Sequence, residues 1–202
     1  MNMNLPNKIT LTRIFMIPVF VAVFFITAIP CNYLLAAIIF AVAAFTDALD
    51  GHIARSRGLV TNLGKFLDPI ADKVLVGTAL ILLLCLRDTL FPVFGDAAEA
   101  VYIATAICVC VIIARELIIS AFRQIAATTG LVMAADKLGK YKTVLQDVSI
   151  VALLAGASFV WSQVGVIISY VGLGLFAIAT VLTVVSGVSY VVKNKEVLKN
   201  SD

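Results

Sequence analysis

Four aspartates carry the chemistry available to this chain. They lie in one stretch, DALDGHIARSRGLVTNLGKFLDPIAD, as Asp47, Asp50, Asp68 and Asp72. Asp47 and Asp50 stand at i,i+3, and Asp68 and Asp72 at i,i+4, so each pair shares a face if its segment is helical. No Cys joins them, and the one His in the stretch, His52, prefers softer metals than Mg²⁺ and is read as a spectator. An all-oxygen donor set suits a hard cation, Mg²⁺ or Mn²⁺. Without a cation the carboxylates would repel one another; bound divalent metal keeps them ionised. Two ions about 4 Å apart would clamp a diphosphate for in-line displacement at phosphorus. Between the pairs, Gly51 lets a phosphate approach the helix backbone, Arg55 offers a bidentate fork one turn on, and Thr61 offers a hydroxyl. Asp72, at the far end of its pair, is also placed to act as general base on an incoming hydroxyl. The plainer alternative is polar helix caps, with Asp47 and Asp50 paired to Arg55 and Arg57. Two carboxylate pairs flanking two glycines exceed what capping requires.

The elements that hold this stretch are apolar. Only 13% of the 202 residues are charged, against roughly 25% in soluble domains, and the mean hydropathy is +1.09. The composition predicts an all-α integral membrane protein forming a single domain over residues 1–202. At about 20 residues per span, six transmembrane helices are expected, near 11–29, 33–56, 64–86, 99–127, 142–160 and 165–192. An N-terminal amphipathic helix is expected to lie on the membrane surface before the first, uncleaved span. Residues 57–63 form the turn between spans two and three, and 87–99 an outer loop. Lys and Arg crowd the opposite ends, which puts both termini and the aspartate stretch on the cytoplasmic side of a cell membrane. With a net charge of only +3, no nucleic-acid partner is expected. Cys31, Cys85, Cys108 and Cys110 are expected as buried free thiols.

A second polar cluster interrupts an apolar helix. Glu116, Ser120 and Arg123 share a face, Arg115 flanks it, and Lys140 and Lys142 open the next span. A structural Arg–Glu pair would account for part of this. Several cations around one cavity also make a phosphate site, and a neutral acceptor would give them no work. The residues alone thus favour a phosphorylated acceptor.

The aspartate stretch resembles, position for position, the signature D-x2-D-G-x2-A-R-x8-G-x3-D-x3-D of the CDP-alcohol phosphotransferases. Asp47, Asp50, Gly51, Ala54, Arg55, Gly64, Asp68 and Asp72 fill its fixed places. The resemblance implies a six-helix, homodimeric membrane enzyme that moves a substituted phosphate from a CDP-linked donor to an alcohol and releases CMP. It implies metal ligation by Asp47, Asp50, Asp68 and Asp72, with Asp72 also the proton acceptor, and donor contacts from Gly51, Arg55 and Thr61. Asn7 and Thr10 would meet the cytidine end. Residues 4–13, Ala71–Val74, Ala114–Glu116 with Ser120 and Arg123, and Gly139–Thr143 with Gln146 are similar to members of the family that use glycerol 3-phosphate.

The function expected is therefore transfer of a phosphatidyl group from CDP-diacylglycerol, a membrane lipid, to sn-glycerol 3-phosphate. Arg115, Arg123, Lys140 and Lys142 would hold the acceptor phosphate. Inositol 1-phosphate or phosphatidylglycerol is the alternative acceptor. A divalent-cation transporter is the alternative from another class, although Arg55 beside an ion path would repel cations.

Overall fold

The computed structural model describes residues 5–56, 62–128 and 137–194; within them, side chains at 5–8, 47–56, 62–63, 65–66, 125, 127–128, 137–138 and 140 are left undescribed. The described residues form six α-helices: α1 Leu5–Phe25, α2 Asn32–Ser56, α3 Asn62–Leu84, α4 Ala98–Thr128, α5 Lys137–Ser158 and α6 Gln163–Lys193. A 3₁₀ helix, Phe91–Ala97, precedes α4. No strand occurs among the described residues.

Polarity is distributed opposite to that of a water-soluble bundle. Large apolar side chains such as Phe15, Phe45, Ile107, Val144, Val181 and Val188 face outward, while Arg13, Lys142, Gln146, Ser149 and Thr183 are buried. An apolar exterior this extensive is unfavourable in water and suits a hydrocarbon surround. Two stretches, Phe91–Gln124 and Gln163–Lys193, are long and apolar enough to cross a bilayer; Ile9–Phe25 and Asn32–Thr46 are shorter apolar helices.

The core runs along the bundle through Phe20 and Phe40, which meet at 5.9 Å, and through Leu75, Leu80, Leu83, Ile112, Ile150 and Phe176. α2 packs on α1, α3 and α5, and α3 also packs on α1, α4 and α5. α5 and α6 pack closely. A Cβ at Gly172 would stand 3.1 Å from Leu153 Cγ and 3.2 Å from Ala152 Cβ, so glycine lets the two backbones approach, as small residues do between membrane helices.

Several local expectations change. α1 continues unbroken from Leu5 to Phe25, so the segment expected as a separate surface helix forms its first turns. α3 already includes Asn62 and Leu63, expected in a turn; residues 57–61 lie outside the described residues. The expected outer loop is largely the 3₁₀ helix, whose Phe91 and Phe94 are buried. Their i,i+3 spacing puts both on one side of a three-residue turn. Gly95, at φ 57°, kinks that segment from within, where a side chain would be strained. Arg87 Nη2 meets Glu99 Oε2 at 2.9 Å across the segment, and this carboxylate holds the exposed guanidinium above its ordinary pKa. The cysteines are free, but Cys31, Cys85 and Cys110 are exposed rather than buried. Apolar packing does not require an interior when the exterior is itself apolar.

Candidate active site

α3 carries Asp68 and Asp72 one turn apart, both partly buried. The turn between them contains Pro69, whose missing N–H removes one intrahelical hydrogen bond. α1 supplies the partner of the first carboxylate: Thr10 is buried and donates its hydroxyl to Asp68 Oδ1 at 2.6 Å. That is the length of a charge-assisted O–H···O⁻ bond. A carboxylate has about four lone-pair sites, so one hydroxyl leaves capacity for a cation.

Asp47, Asp50, Gly51 and Arg55 belong to the last turns of α2. Their side chains, and Thr61 altogether, lie outside the described residues. So do the side chains of Asn7 in the first turn of α1 and Lys140 in the first turn of α5. Five residues, 57–61, separate the end of α2 from the start of α3, so those ends lie within roughly 20 Å of each other. No group of three potential metal-ligating side chains stands together among the described residues.

The second cluster is assembled by α4, α5 and α6. Lys142 of α5 is buried, and its Nζ donates to Oε1 of Glu116 on α4 in an ion pair. Arg115 Nη1 reaches the same oxygen at 3.2 Å. Arg115 Nη2 donates to Ser186 Oγ of α6 at 3.0 Å. Glu116 therefore binds the two cations side by side and leaves the trio net positive.

The two clusters meet. One pocket between α3, α4 and α5 is lined by Asp72 and Lys73 on one wall, Glu116 on the second, and Lys142, Thr143 and Gln146 on the third. Apolar side chains, Val76, Leu80, Ile112 and Ile113 among them, complete its lining. Such a pocket brings a potential base beside two lysines, Lys73 and Lys142; Arg115 is not among the residues that line it.

Arg123, expected beside Arg115, has a different neighbour. It is exposed, its Nε donates to Tyr190 Oη at 3.2 Å, and its guanidinium carbon lies 5.2 Å from the centre of that ring. Two contributions from α6, Ser186 and Gly187, were not anticipated. The small residues in TVVSGVSYVV are the sequence signal. Arg13, the last residue of the resembling stretch 4–13, is fully buried; an arginine inside an apolar helix is itself a signal of an inward-facing role.

The chain belongs to the CDP-alcohol phosphatidyltransferase family, whose model matches residues 3–185. Among its relatives is the CDP-diacylglycerol–glycerol-3-phosphate 3-phosphatidyltransferase of Bacillus subtilis (strain 168), 41% identical over 98% of this chain and 99% of the relative. Proteins of the same name from Rickettsia bellii (strain RML369-C) and Shigella flexneri serotype 5b (strain 8401) are 37% and 38% identical; the former match covers 93% of each chain and the latter 94%.

Proposed function

We propose that this protein transfers the phosphatidyl group of CDP-diacylglycerol to sn-glycerol 3-phosphate, forming phosphatidylglycerophosphate and CMP in phospholipid synthesis. The observation that carries this reading is the shared pocket: Asp72 faces the same space as the Lys142–Glu116 pair. A proton acceptor in one pocket with Lys73 and Lys142, with Arg115 held on the same Glu116 oxygen as Lys142, suits an acceptor that presents a hydroxyl and a phosphate. The near full-length similarity to relatives bearing that name supports it.

Asp47, Asp50, Asp68 and Asp72 would hold Mg²⁺ or Mn²⁺, two ions in the reading preferred here. The all-oxygen donor set and the partly buried carboxylates of α3 fit a hard cation. When bound, the metal neutralises the diphosphate and stabilises charge on the leaving phosphate. Thr10 orients the Asp68 carboxylate. Gly51, Arg55 and Thr61 would engage the donor diphosphate, and Asn7 the cytidine end, with Thr10 near it. Arg115 and Lys142, held by Glu116, would orient the acceptor phosphate, with Arg123 and Lys140 at its approach. Asp72 would take the proton of the acceptor hydroxyl as its oxygen attacks the phosphorus bearing the lipid, and the bond to CMP breaks.

The whole chain would form one domain with six spans. The first turns of α1 would lie at the cytoplasmic interface, with both termini and the active site on that side of the cell membrane. The donor's acyl chains would then remain in lipid while its headgroup enters the pocket. A homodimer is part of this reading.

The test is CMP release by the purified protein from CDP-diacylglycerol with Mg²⁺ or Mn²⁺ and a panel of acceptors. Release that requires glycerol 3-phosphate is expected. Release only with inositol 1-phosphate or phosphatidylglycerol would overturn the acceptor. No release with any acceptor, together with Mn²⁺ flux into sealed vesicles, would replace the enzyme reading with a transporter.

A further inference from the structure

α6 reaches the acceptor cluster through two small residues in an otherwise valine-rich run. Ser186 and Gly187 are both buried, and Arg115 of α4 lies against them. Arg115 Nη2 donates to Ser186 Oγ at 3.0 Å. Ser186 is itself fixed, because its hydroxyl donates to the Thr183 carbonyl at 3.1 Å. A Cβ on Gly187 would stand 3.0 Å from both Cγ and Nε of Arg115. The crowded atoms are the stem and root of the guanidinium, so its far end cannot simply swing aside to relieve the contact. Arg115 Nε is buried with no hydrogen bond among the described residues. The guanidinium is thus held through Nη1 on Glu116 and Nη2 on Ser186, and a side chain at 187 would press its stem away by a few tenths of an ångström.

We infer that Ser186 and Gly187 are positioning residues for Arg115: together they form a seat on α6 that fixes the direction in which its guanidinium meets the acceptor phosphate. The inference rests on the acceptor-site reading above. The described contacts of the seat are with Arg115 and Thr183, so its loss is expected to act through Arg115 on the acceptor.

The experiment compares KM for glycerol 3-phosphate and KM for CDP-diacylglycerol in the full-length protein. The variants are Gly187→Ala, Ser186→Ala, Arg115→Ala and a control, Gly174→Ala. Gly174 lies on the same helix, and a Cβ there meets nothing within 4 Å. Gly187→Ala is expected to raise the acceptor KM about tenfold, the factor that 1.4 kcal/mol makes, and to leave the donor KM within about twofold. Ser186→Ala, which only removes an atom, is expected to give a smaller rise in the acceptor KM alone. If Gly187→Ala fails to fold, Ser186→Ala decides the question. Gly174→Ala is expected to change neither constant. Equal rises in both constants, or none, for the Ser186 and Gly187 variants would overturn the seat while Arg115→Ala still raises the acceptor KM. An unchanged acceptor KM in Arg115→Ala would overturn the acceptor site itself, and the seat's role with it.

Discussion

Thr10 on α1 donates its hydroxyl to Asp68 on α3 at 2.6 Å, across 58 residues of sequence. The bond ties the N-terminal helix to a carboxylate of the proposed metal set. Groups that orient a metal ligand typically account for about 10- to 100-fold in metal affinity. Thr10→Val, similar in shape but without the hydroxyl, should raise the Mg²⁺ concentration for half-maximal CMP release by about tenfold. Saturating metal should restore most of the rate. An unchanged metal requirement would show that Asp68 needs no help from α1.

Glu116 holds Lys142 and Arg115 together, and its removal leaves two cations facing one another. Glu116→Gln keeps the shape and deletes the charge. It should cost roughly 2 kcal/mol of stability, below the roughly 3–5 kcal/mol of a fully buried broken pair, because the Glu116 side chain remains 30% exposed. Thermal unfolding in detergent measures this. Arg87→Ala breaks the exposed pair with Glu99 and should leave the midpoint and the activity unchanged, since exposed pairs contribute little.

Arg115 and Arg123 should separate. Arg115 is tied to Glu116 and Ser186 at the cationic cluster, whereas Arg123 is exposed and stacked on Tyr190. Replacing Arg115 with Ala should raise the acceptor KM by about tenfold or more, as loss of a charge-assisted bond does. The same change at Arg123 should give a clearly smaller rise. Equal effects would mean that both arginines contact the acceptor.

Much of this was readable from residue types because buried charge is rare in apolar helices. The aspartates stood out by spacing, Arg115 and Glu116 by interrupting an apolar run, and Lys142 by opening the next span. The helical positions of Phe20, Phe40 and Ile112 followed from span length. The 3₁₀ helix escaped notice because Phe91, Pro92 and Phe94 sit among the polar residues of an apparent loop. The seat on α6 escaped because Ser186 and Gly187 carry no charge, and their role exists only once α4 is packed beside them. The exposed cysteines were misjudged by a rule for water-soluble cores, which fails where the outside is as apolar as the inside.

The orientation can be tested at Cys31, which is exposed between α1 and α2. In a variant lacking the other three cysteines, a membrane-impermeant maleimide should label Cys31 on intact cells. A cysteine introduced by Lys199→Cys should react only after permeabilisation. The reverse pattern would invert the proposed topology.

The central claim is that Asp72 accepts the proton of an acceptor hydroxyl in a pocket shared with the Lys142–Glu116 pair. The most direct measurement is CMP release from CDP-diacylglycerol and glycerol 3-phosphate by Asp72→Asn, beside the unaltered protein at saturating Mg²⁺. The substitution keeps the side chain's size and removes its basicity. The account predicts release that requires glycerol 3-phosphate in the unaltered protein and a fall of at least about a hundredfold in the variant, within the range of a lost general base. Release at the unaltered rate by a folded Asp72→Asn protein would contradict it.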